Sequence, residues 1–202
     1  MVQQSLLTLL LLPVLALGAP KPNWTATSAT SAPASTSSSS PSSGKGGQVF
    51  LKNSCSYEVT VDAIPGPGCS SGGSGTVSAG STWTDTLADC SNGNTALKVY
   101  GNGSEKPMQF EYGLVGDTVW YDMSFIDCLT STSDFSQCAG SSWSMGSVGS
   151  CPTYACKGGS ECCTQGYCDP DASVIDPDPN AGCGAPQGYS TSDVGITIEL
   201  CA

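Results

Sequence analysis

Glu111 and Asp122 are the residues whose types and spacing best suit acid–base chemistry. They lie in Met108 to Ser124, where apolar and polar residues alternate on both sides of Gly116-Asp117. That dipeptide suits the two-residue turn of a β-hairpin. A three-residue loop would mix apolar and polar residues on each face, so the pattern favours the two-residue register. In this register Glu111 lies directly opposite Asp122 on the polar face.

Two directly opposed acids have Cβ atoms about 5 Å apart, and like charges at this distance are destabilising. In a partly enclosed site, one acid of such a pair has a raised pKa, as a general acid requires. Gly113 leaves space beside Glu111, and Trp120 offers a flat apolar surface. The arrangement therefore suits a sugar ring, which presents hydroxyl donors and an apolar face. The alternative is that both acids extend into water on an exposed face.

The composition excludes several other kinds of chemistry. The chain of 202 residues has no histidine, and its six basic residues are all lysine. This excludes Ser-His-Asp and Cys-His catalysis and His-ligated zinc. The net charge of −11 argues against binding to nucleic acid or an anionic membrane. The twelve cysteines indicate disulfides formed in an oxidising compartment, and we expect neither a metal ion nor a cofactor.

The N-terminal region is typical of an exported protein. Residues 1–18 resemble a signal peptide, with an apolar run too short to span a bilayer. Residues 19–47 are predicted to be a disordered linker, because thirteen of the twenty residues from Trp24 to Ser43 are Ser or Thr. Asn23 and Asn102 begin N-glycosylation sequons. We expect a secreted protein, located outside the cell or in a cell wall.

Residues 48–202 are predicted to form one all-β domain, an antiparallel β-sandwich and a monomer. Alternating or β-rich segments predict its strands at Gln48–Asn53, Tyr57–Ala63, Ser81–Leu87, Thr95–Tyr100 and Ile196–Leu200. Residues 128–190 are rich in Cys, Gly, Ser and Pro with little periodicity, which predicts a loop-rich lobe held by disulfides.

Five motifs in order resemble the thaumatin-like (osmotin) family over residues 48–202, and most closely its small fungal members. These are Asn53-Ser-Cys55-Ser-Tyr57-Glu-Val59, Gly80-Ser-Thr-Trp83, Glu111-Tyr-Gly-Leu114 with Trp120-Tyr-Asp122-Met-Ser124-Phe-Ile-Asp127, Cys162-Cys163, and the last strand before Cys201. The resemblance implies a β-sandwich with an acidic cleft that binds β-1,3-glucan.

The resemblance also assigns residues to that cleft. Glu111, Asp122 and Asp127 match the family's Glu and two of its Asp residues, and the hairpin places Trp120 beside them as a ligand platform. The family's arginine has no counterpart, because this chain contains none. Another acid of the C-terminal lobe should complete the cleft, and four residues could supply it: Asp169, Asp171, Asp176 or Asp178.

We therefore expect a secreted protein that binds β-1,3-glucan. One alternative is a weak endo-β-1,3-glucanase with Glu111 as acid and Asp122 or Asp127 as base or nucleophile. The other is an interaction protein that uses the scaffold without the cleft.

The resemblance further implies four disulfide pairs. These are Cys55–Cys201, Cys156–Cys162, Cys163–Cys168 and Cys69–Cys90. It leaves open the partners of Cys128, Cys138, Cys151 and Cys183.

Overall fold

A computed structural model describes residues 46–69, 72–87, 89, 93–101, 103–130, 137–138, 142–157, 162–169 and 180–202. All described residues belong to one compact unit, Ser38–Ala202. The signal peptide and most of the linker therefore lie outside the described residues. Over the part of the chain that is described, no helix has the length and apolarity of a membrane span.

Two sheets form the domain. The five-stranded sheet has the order β4-β1-β11-β8-β9, and the six-stranded sheet has the order β10-β7-β6-β5-β2-β3. The strands of the first sheet are β1 Gln48–Asn53, β4 Thr82–Thr86, β8 Trp143–Gly146, β9 Thr153–Cys156 and β11 Ile196–Leu200. Those of the second are β2 Val59–Pro65, β3 Ser74–Val77, β5 Thr95–Gly101, β6 Met108–Val115, β7 Thr118–Ser124 and β10 Ala181–Gly184.

The predicted fold class, an all-β sandwich with a disulfide-rich region, is confirmed. One strand pair departs from the antiparallel pattern, because β1 and β11 run parallel. Residues 128–190 also hold more regular structure than their composition indicated. They contribute β8 and β9 to one sheet and β10 to the other. Each of these strands has only four residues, too few for an alternation to stand out from the surrounding sequence.

The inner faces of the two sheets form the core. Buried and half-buried residues alternate along β1 and β11, so every second side chain of each strand points into the core. Trp143 of the five-stranded sheet is 1 % exposed and makes an edge-to-face contact with Phe110 of the other sheet, with ring centroids 5.9 Å apart. Phe125 contacts the same indole at 5.8 Å. Such aromatic pairs add to the stability that area burial alone provides.

A buried asparagine links the two sheets. Asn53, at the end of β1, donates from Nδ2 to the carbonyl oxygens of Tyr57 and Val77, both at 2.8 Å. Its Oδ1 accepts a hydrogen bond from the Cys55 amide at 3.1 Å. Val77 belongs to β3 of the opposite sheet. The hydrogen bonds satisfy a fully buried side chain, as a buried polar group requires.

Disulfides join the ends of the domain and brace its C-terminal part. Cys55 is bonded to Cys201, just beyond the ends of the parallel strands β1 and β11. Parallel pairing brings both strand ends to the same edge, which places these cysteines together. Three further disulfides are Cys151–Cys183, Cys156–Cys162 and Cys163–Cys168.

Three of these four bonds are pairs that the resemblance implied, and Cys151–Cys183 resolves two cysteines whose partners it left open. Cys69 is also disulfide-bonded, but Cys90 lies outside the described residues. Cys128 and Cys138 are both buried.

Candidate functional site

The β6–β7 hairpin has the register that the residue pattern predicts. Gly116 and Asp117 form the turn between β6 and β7, and Gly116 has a φ of 59° that favours glycine. Glu111 is paired with Asp122, and Gly113 is paired with Trp120. Four aromatic or long apolar side chains on the opposite face are at most 2 % exposed: Phe110, Tyr112, Tyr121 and Met123. The prediction that places the two acids opposite each other is therefore confirmed.

The face that carries the acids is largely shielded from water. Asp122 is only 9 % exposed, and its neighbours Gln109 and Ser124 are 8 % and 3 % exposed. Glu111 is half-buried. The alternative in which both acids extend into water on an exposed face is therefore wrong. Burial of opposed carboxylates is costly to stability, so the pair needs an explanation other than packing.

Glu111 has a polar neighbour that the sequence did not indicate. Asn94 donates a hydrogen bond from Nδ2 to Glu111 Oε2 at 3.0 Å. Backbone of the same segment occupies the space above Gly113, where a Cβ would lie 2.9 Å from the Gly93 carbonyl oxygen and 3.2 Å from the Asn94 Cα. The interpretation that Gly113 leaves ligand space is therefore wrong. Glycine is needed there because the 93–94 segment packs directly onto the hairpin.

Burial raises the pKa of Glu111 above its ordinary value. The hydrogen bond from Asn94 opposes this shift because it stabilises the carboxylate, and so does the positive charge of Lys98. The negative charge of Asp127 acts with burial and raises the pKa further. Burial thus favours the protonated form of Glu111.

A lysine supplies the positive charge of this face. Lys98 Nζ contacts Asp127 Oδ2 at 2.8 Å, with both side chains partly exposed. That hydrogen bond, opposed by burial, raises the pKa of Lys98, so the ammonium stays charged. Lys98 is paired with Asp62 and with Gln109 on the neighbouring strands. A cation is therefore present although the chain has no arginine.

Lys98 and Asn94 are the residues that the sequence reasoning missed. The alternation of Leu97, Lys98 and Val99 already indicated that Lys98 lies on the polar face of a strand. What it could not show was that this strand is the neighbour of β6. Asn94 precedes β5 and has no periodic signal at all.

Trp120 lies on the same face as the acids, two residues before Asp122 on β7. A Cβ on Gly182 would lie 3.1 Å from Cζ3 and 3.2 Å from Cη2 of Trp120, so the indole covers Gly182 of β10. The ring is half-buried. We call this outer surface of the six-stranded sheet the acidic face. It consists of Trp120, Asp122, Glu111, Asn94, Lys98 and Asp127.

The acidic face is a row of polar groups beside one aromatic ring. Across the strands β7, β6 and β5, it spans about 10 Å, given the usual separation of neighbouring strands. Its acceptors are carboxylates, and its donors are the Asn94 amide and the Lys98 ammonium. Such a set can hydrogen-bond an uncharged, hydroxyl-rich ligand.

Some predicted site residues are not placed. Asn23 and Asn102, the two sequon asparagines, lie outside the described residues, and so do Asp171, Asp176 and Asp178. Asp169 is described and precedes that gap. The acid from the C-terminal lobe that completes the cleft thus stays a prediction.

Comparisons with known proteins bear on the family and the fold. A family model described as Bys1, Blastomyces yeast-phase-specific protein, matches residues 36–201. The crystal structure of the protein elicitor MoHrip2 from Magnaporthe oryzae matches at 21% identity with a TM-score of 0.55, over 77% of this chain and 98% of that chain. The structure of the thaumatin-like xylanase inhibitor TLXI matches at 13% identity and a TM-score of 0.48, over 76% of this chain and 99% of that chain. No curated protein matches the chain. At this identity, the likeness to MoHrip2 shows a shared fold.

Proposed function

The chain belongs to the Blastomyces yeast-phase-specific protein family (Bys1), and from that premise we propose that it is a secreted, wall-associated protein that binds β-1,3-glucan. The proposed site is the acidic face. The resemblance to thaumatin-like proteins supplies the linkage of the glycan, and the geometry of the acidic face supports an uncharged, hydroxyl-rich ligand.

The observation that carries the proposal is the direct opposition of Glu111, which is half-buried, and Asp122, which is nearly buried. Like charges opposed across two strands destabilise a sheet, so packing alone gives no reason for the pair. Sugar hydroxyls can donate to the half-buried Glu111 carboxylate and to the part of Asp122 that remains exposed. Trp120 can contact the apolar face of a neighbouring sugar ring.

A second candidate function is weak hydrolysis of the same glucan. It is favoured by the raised pKa of Glu111, which suits a general acid. The ion pair between Asp127 and Lys98 favours binding instead, because it holds Asp127 in a charged hydrogen bond. Release of reducing ends from β-1,3-glucan by the purified protein, lost in Glu111→Gln, would establish the hydrolytic alternative.

A third candidate is an interaction protein. MoHrip2 is named a protein elicitor, and TLXI is named a xylanase inhibitor. A protein of this kind would use the scaffold without a glycan. Absence of binding to any wall polysaccharide by the folded protein would favour it over the glucan-binding proposal.

Secretion and glycosylation are part of the proposal. The disulfides of the described residues are typical of an oxidising compartment. We propose that residues 1–18 are removed on export and that the linker carries O-linked glycans. Protein secreted by a fungal host should then run above 20.4 kDa, with most of the excess mapping before residue 48. A secreted protein of unmodified mass would exclude the glycosylated linker.

Calorimetric titration with a soluble β-1,3-gluco-oligosaccharide tests the glucan proposal. Glu111→Gln and Asp122→Asn preserve side-chain shape and remove one negative charge each. We expect each to weaken binding about tenfold, the effect of losing one charged hydrogen bond. Glu105→Gln is the matched control, because Glu105 is exposed and lies outside the acidic face. Wild-type affinity in both site variants would refute the site assignment.

A further inference from the structure

The outer face of the five-stranded sheet differs from the acidic face and has no role in the proposed site. One row of paired residues crosses all five strands of this sheet. It runs through Thr84, Phe50, Thr197, Gly146 and Thr153. We call this row and the surface around it the threonine face. Across five strands the row is about 19 Å long.

The row is continuous although β8 contributes only a glycine. A Cβ on Gly146 would lie 2.7 Å from Thr153 Oγ1 and 3.2 Å from Thr153 Cγ2. The Thr153 side chain therefore leans over Gly146 and fills that position. Phe50 is the aromatic residue of the row and is half-buried, whereas Thr84 at the edge strand is exposed. The surface thus combines one aromatic ring with threonine hydroxyls on both sides.

Its charge sets this face apart from the rest of the domain. Residues 48–202 contain all seventeen acids and four of the six lysines, a net charge of −13. The strand residues of the threonine face include one cation, Lys52, and one anion, Glu199, which lie opposite each other on β1 and β11. Lys52 donates to the Gly80 carbonyl, and Glu199 accepts from Ser54 Oγ at 2.7 Å. The face is therefore locally neutral on a strongly acidic domain.

We propose that the threonine face is a second glycan-binding surface, one that takes a neutral polysaccharide chain of the cell wall. Phe50 contacts the apolar face of a sugar ring, and the threonine hydroxyls exchange hydrogen bonds with sugar hydroxyls. A row of this length contacts several sugar units of an extended chain. The inference shares the ligand class of the proposed function but none of its residues.

The chemistry of the face favours a neutral glycan over a protein partner. Stable protein interfaces have an apolar centre enriched in aromatic residues, whereas the row offers one aromatic ring among hydroxyls. An acidic or basic partner would gain nothing from a neutral surface. A polysaccharide without charge fits both features, because it presents hydroxyls throughout and apolar ring faces at intervals.

Co-sedimentation of the full chain with an insoluble linear β-1,3-glucan tests the inference. Thr84→Lys places a long charged side chain on the exposed edge of the face, and Phe50→Ala removes the ring. Thr76→Lys is the matched control, because Thr76 is an exposed threonine on β3, the edge strand of the other sheet. We expect Thr84→Lys and Phe50→Ala to weaken binding about tenfold, with Thr76→Lys unchanged.

Three results would overturn the inference. Wild-type binding by Thr84→Lys and Phe50→Ala overturns the inference, and so does equal loss in Thr76→Lys. A wild-type dimer in sedimentation velocity that Thr84→Lys dissociates also overturns it, because a second copy would then occupy the face. Thr84→Lys keeps the test valid should Phe50→Ala fail to fold.

A short soluble oligosaccharide separates this inference from the proposed function. It should bind the acidic face alone, since the separate weak contacts of the threonine row add up to useful affinity only over several sugar units. Thr84→Lys should therefore leave its affinity unchanged, whereas Glu111→Gln should lower it. Loss of insoluble-glucan binding in Thr84→Lys, with no effect of Glu111→Gln on either ligand, would support the threonine face and refute the acidic one.

Discussion

The two outer faces of the sandwich are made by the same alternation of residues, yet they differ in charge and solvation. The acidic face carries an opposed acid pair in which Asp122 is nearly buried and Glu111 half-buried, whereas the threonine face is neutral, with exposed hydroxyls at Thr84 and Thr153. Threonines on an exposed strand face are favourable for a sheet. Buried acids, in contrast, reduce the stability of a sheet. The acidic face therefore shows the stronger sign of function, because its residues are costly to the fold that holds them.

The largest expected effect concerns the scaffold that both faces share. Replacing Cys55 and Cys201 with serine removes a cross-link between residues 146 positions apart. The chain-entropy model gives a loss of about 5 kcal/mol in unfolding free energy for a loop of this length. Chemical denaturation measures this loss. We expect both faces to lose ligand binding together as the domain unfolds, and a stable, ligand-binding double variant would contradict this view of the scaffold.

Asn53→Ala should have the next largest effect. The substitution leaves the Tyr57 and Val77 carbonyl groups and the Cys55 amide without their side-chain partner. An unsatisfied buried polar group costs about 1–3 kcal/mol, so we expect a loss of about 3 kcal/mol in denaturation. Asn94→Ala is the contrasting variant, since Asn94 is exposed and has one described side-chain bond, to Glu111. Equal losses in the two variants would show that Asn53 does not link the sheets.

Removing one acid of the opposed pair tests whether these acids serve binding or stability. Asp122→Ala and Glu111→Ala should each weaken glucan binding, but neither should unfold the domain. Loss of like-charge repulsion across the strands stabilises by up to about 1 kcal/mol, which offsets lost packing. Thermal denaturation and titration of the same samples measure both effects. Turnover, if present, should be lost in both variants, and unfolding of either would show that the acids are structural.

The sequence predicted the hairpin well because its alternation left one register that separates apolar from polar residues. The position of Lys98 was not predictable, because a strand's alternation shows its face and not its neighbour in the sheet. The order β7-β6-β5 places Lys98 near the acids.

The space above Gly113 was misjudged for a related reason. A glycine signals close approach of something, and the sequence does not show whether that is a ligand or the chain itself. Here it is the Gly93–Asn94 backbone. The short strands β3, β8, β9 and β10 were missed because four residues are too few for an alternation to stand out from the surrounding sequence.

The smallest expected effect is a pH dependence of stability that belongs to the acidic face alone. Burial raises the pKa of Glu111 in the folded domain, with Asp127 adding to the shift and Asn94 and Lys98 opposing it. Asp122 is the other acid that faces Glu111 directly. Lys98 stays charged, because its own pKa is raised by the hydrogen bond to Asp127.

A raised pKa means that the folded state holds a proton that the unfolded chain has released. The contribution of Glu111 to stability is therefore lost as the pH rises from the ordinary range of a glutamate through the raised folded value.

Glu111→Gln has no such proton. Its unfolding free energy, relative to the wild type, should increase across this window and then level off. Glu105→Gln controls for the loss of one negative charge on the domain. Denaturation curves at several pH values measure the difference, and one that stays flat, or that shrinks as the pH rises, would mean that Glu111 is as well solvated in the folded domain as in the unfolded chain. The view that the acid pair is costly to the fold, unlike the threonines of the other face, would then no longer hold.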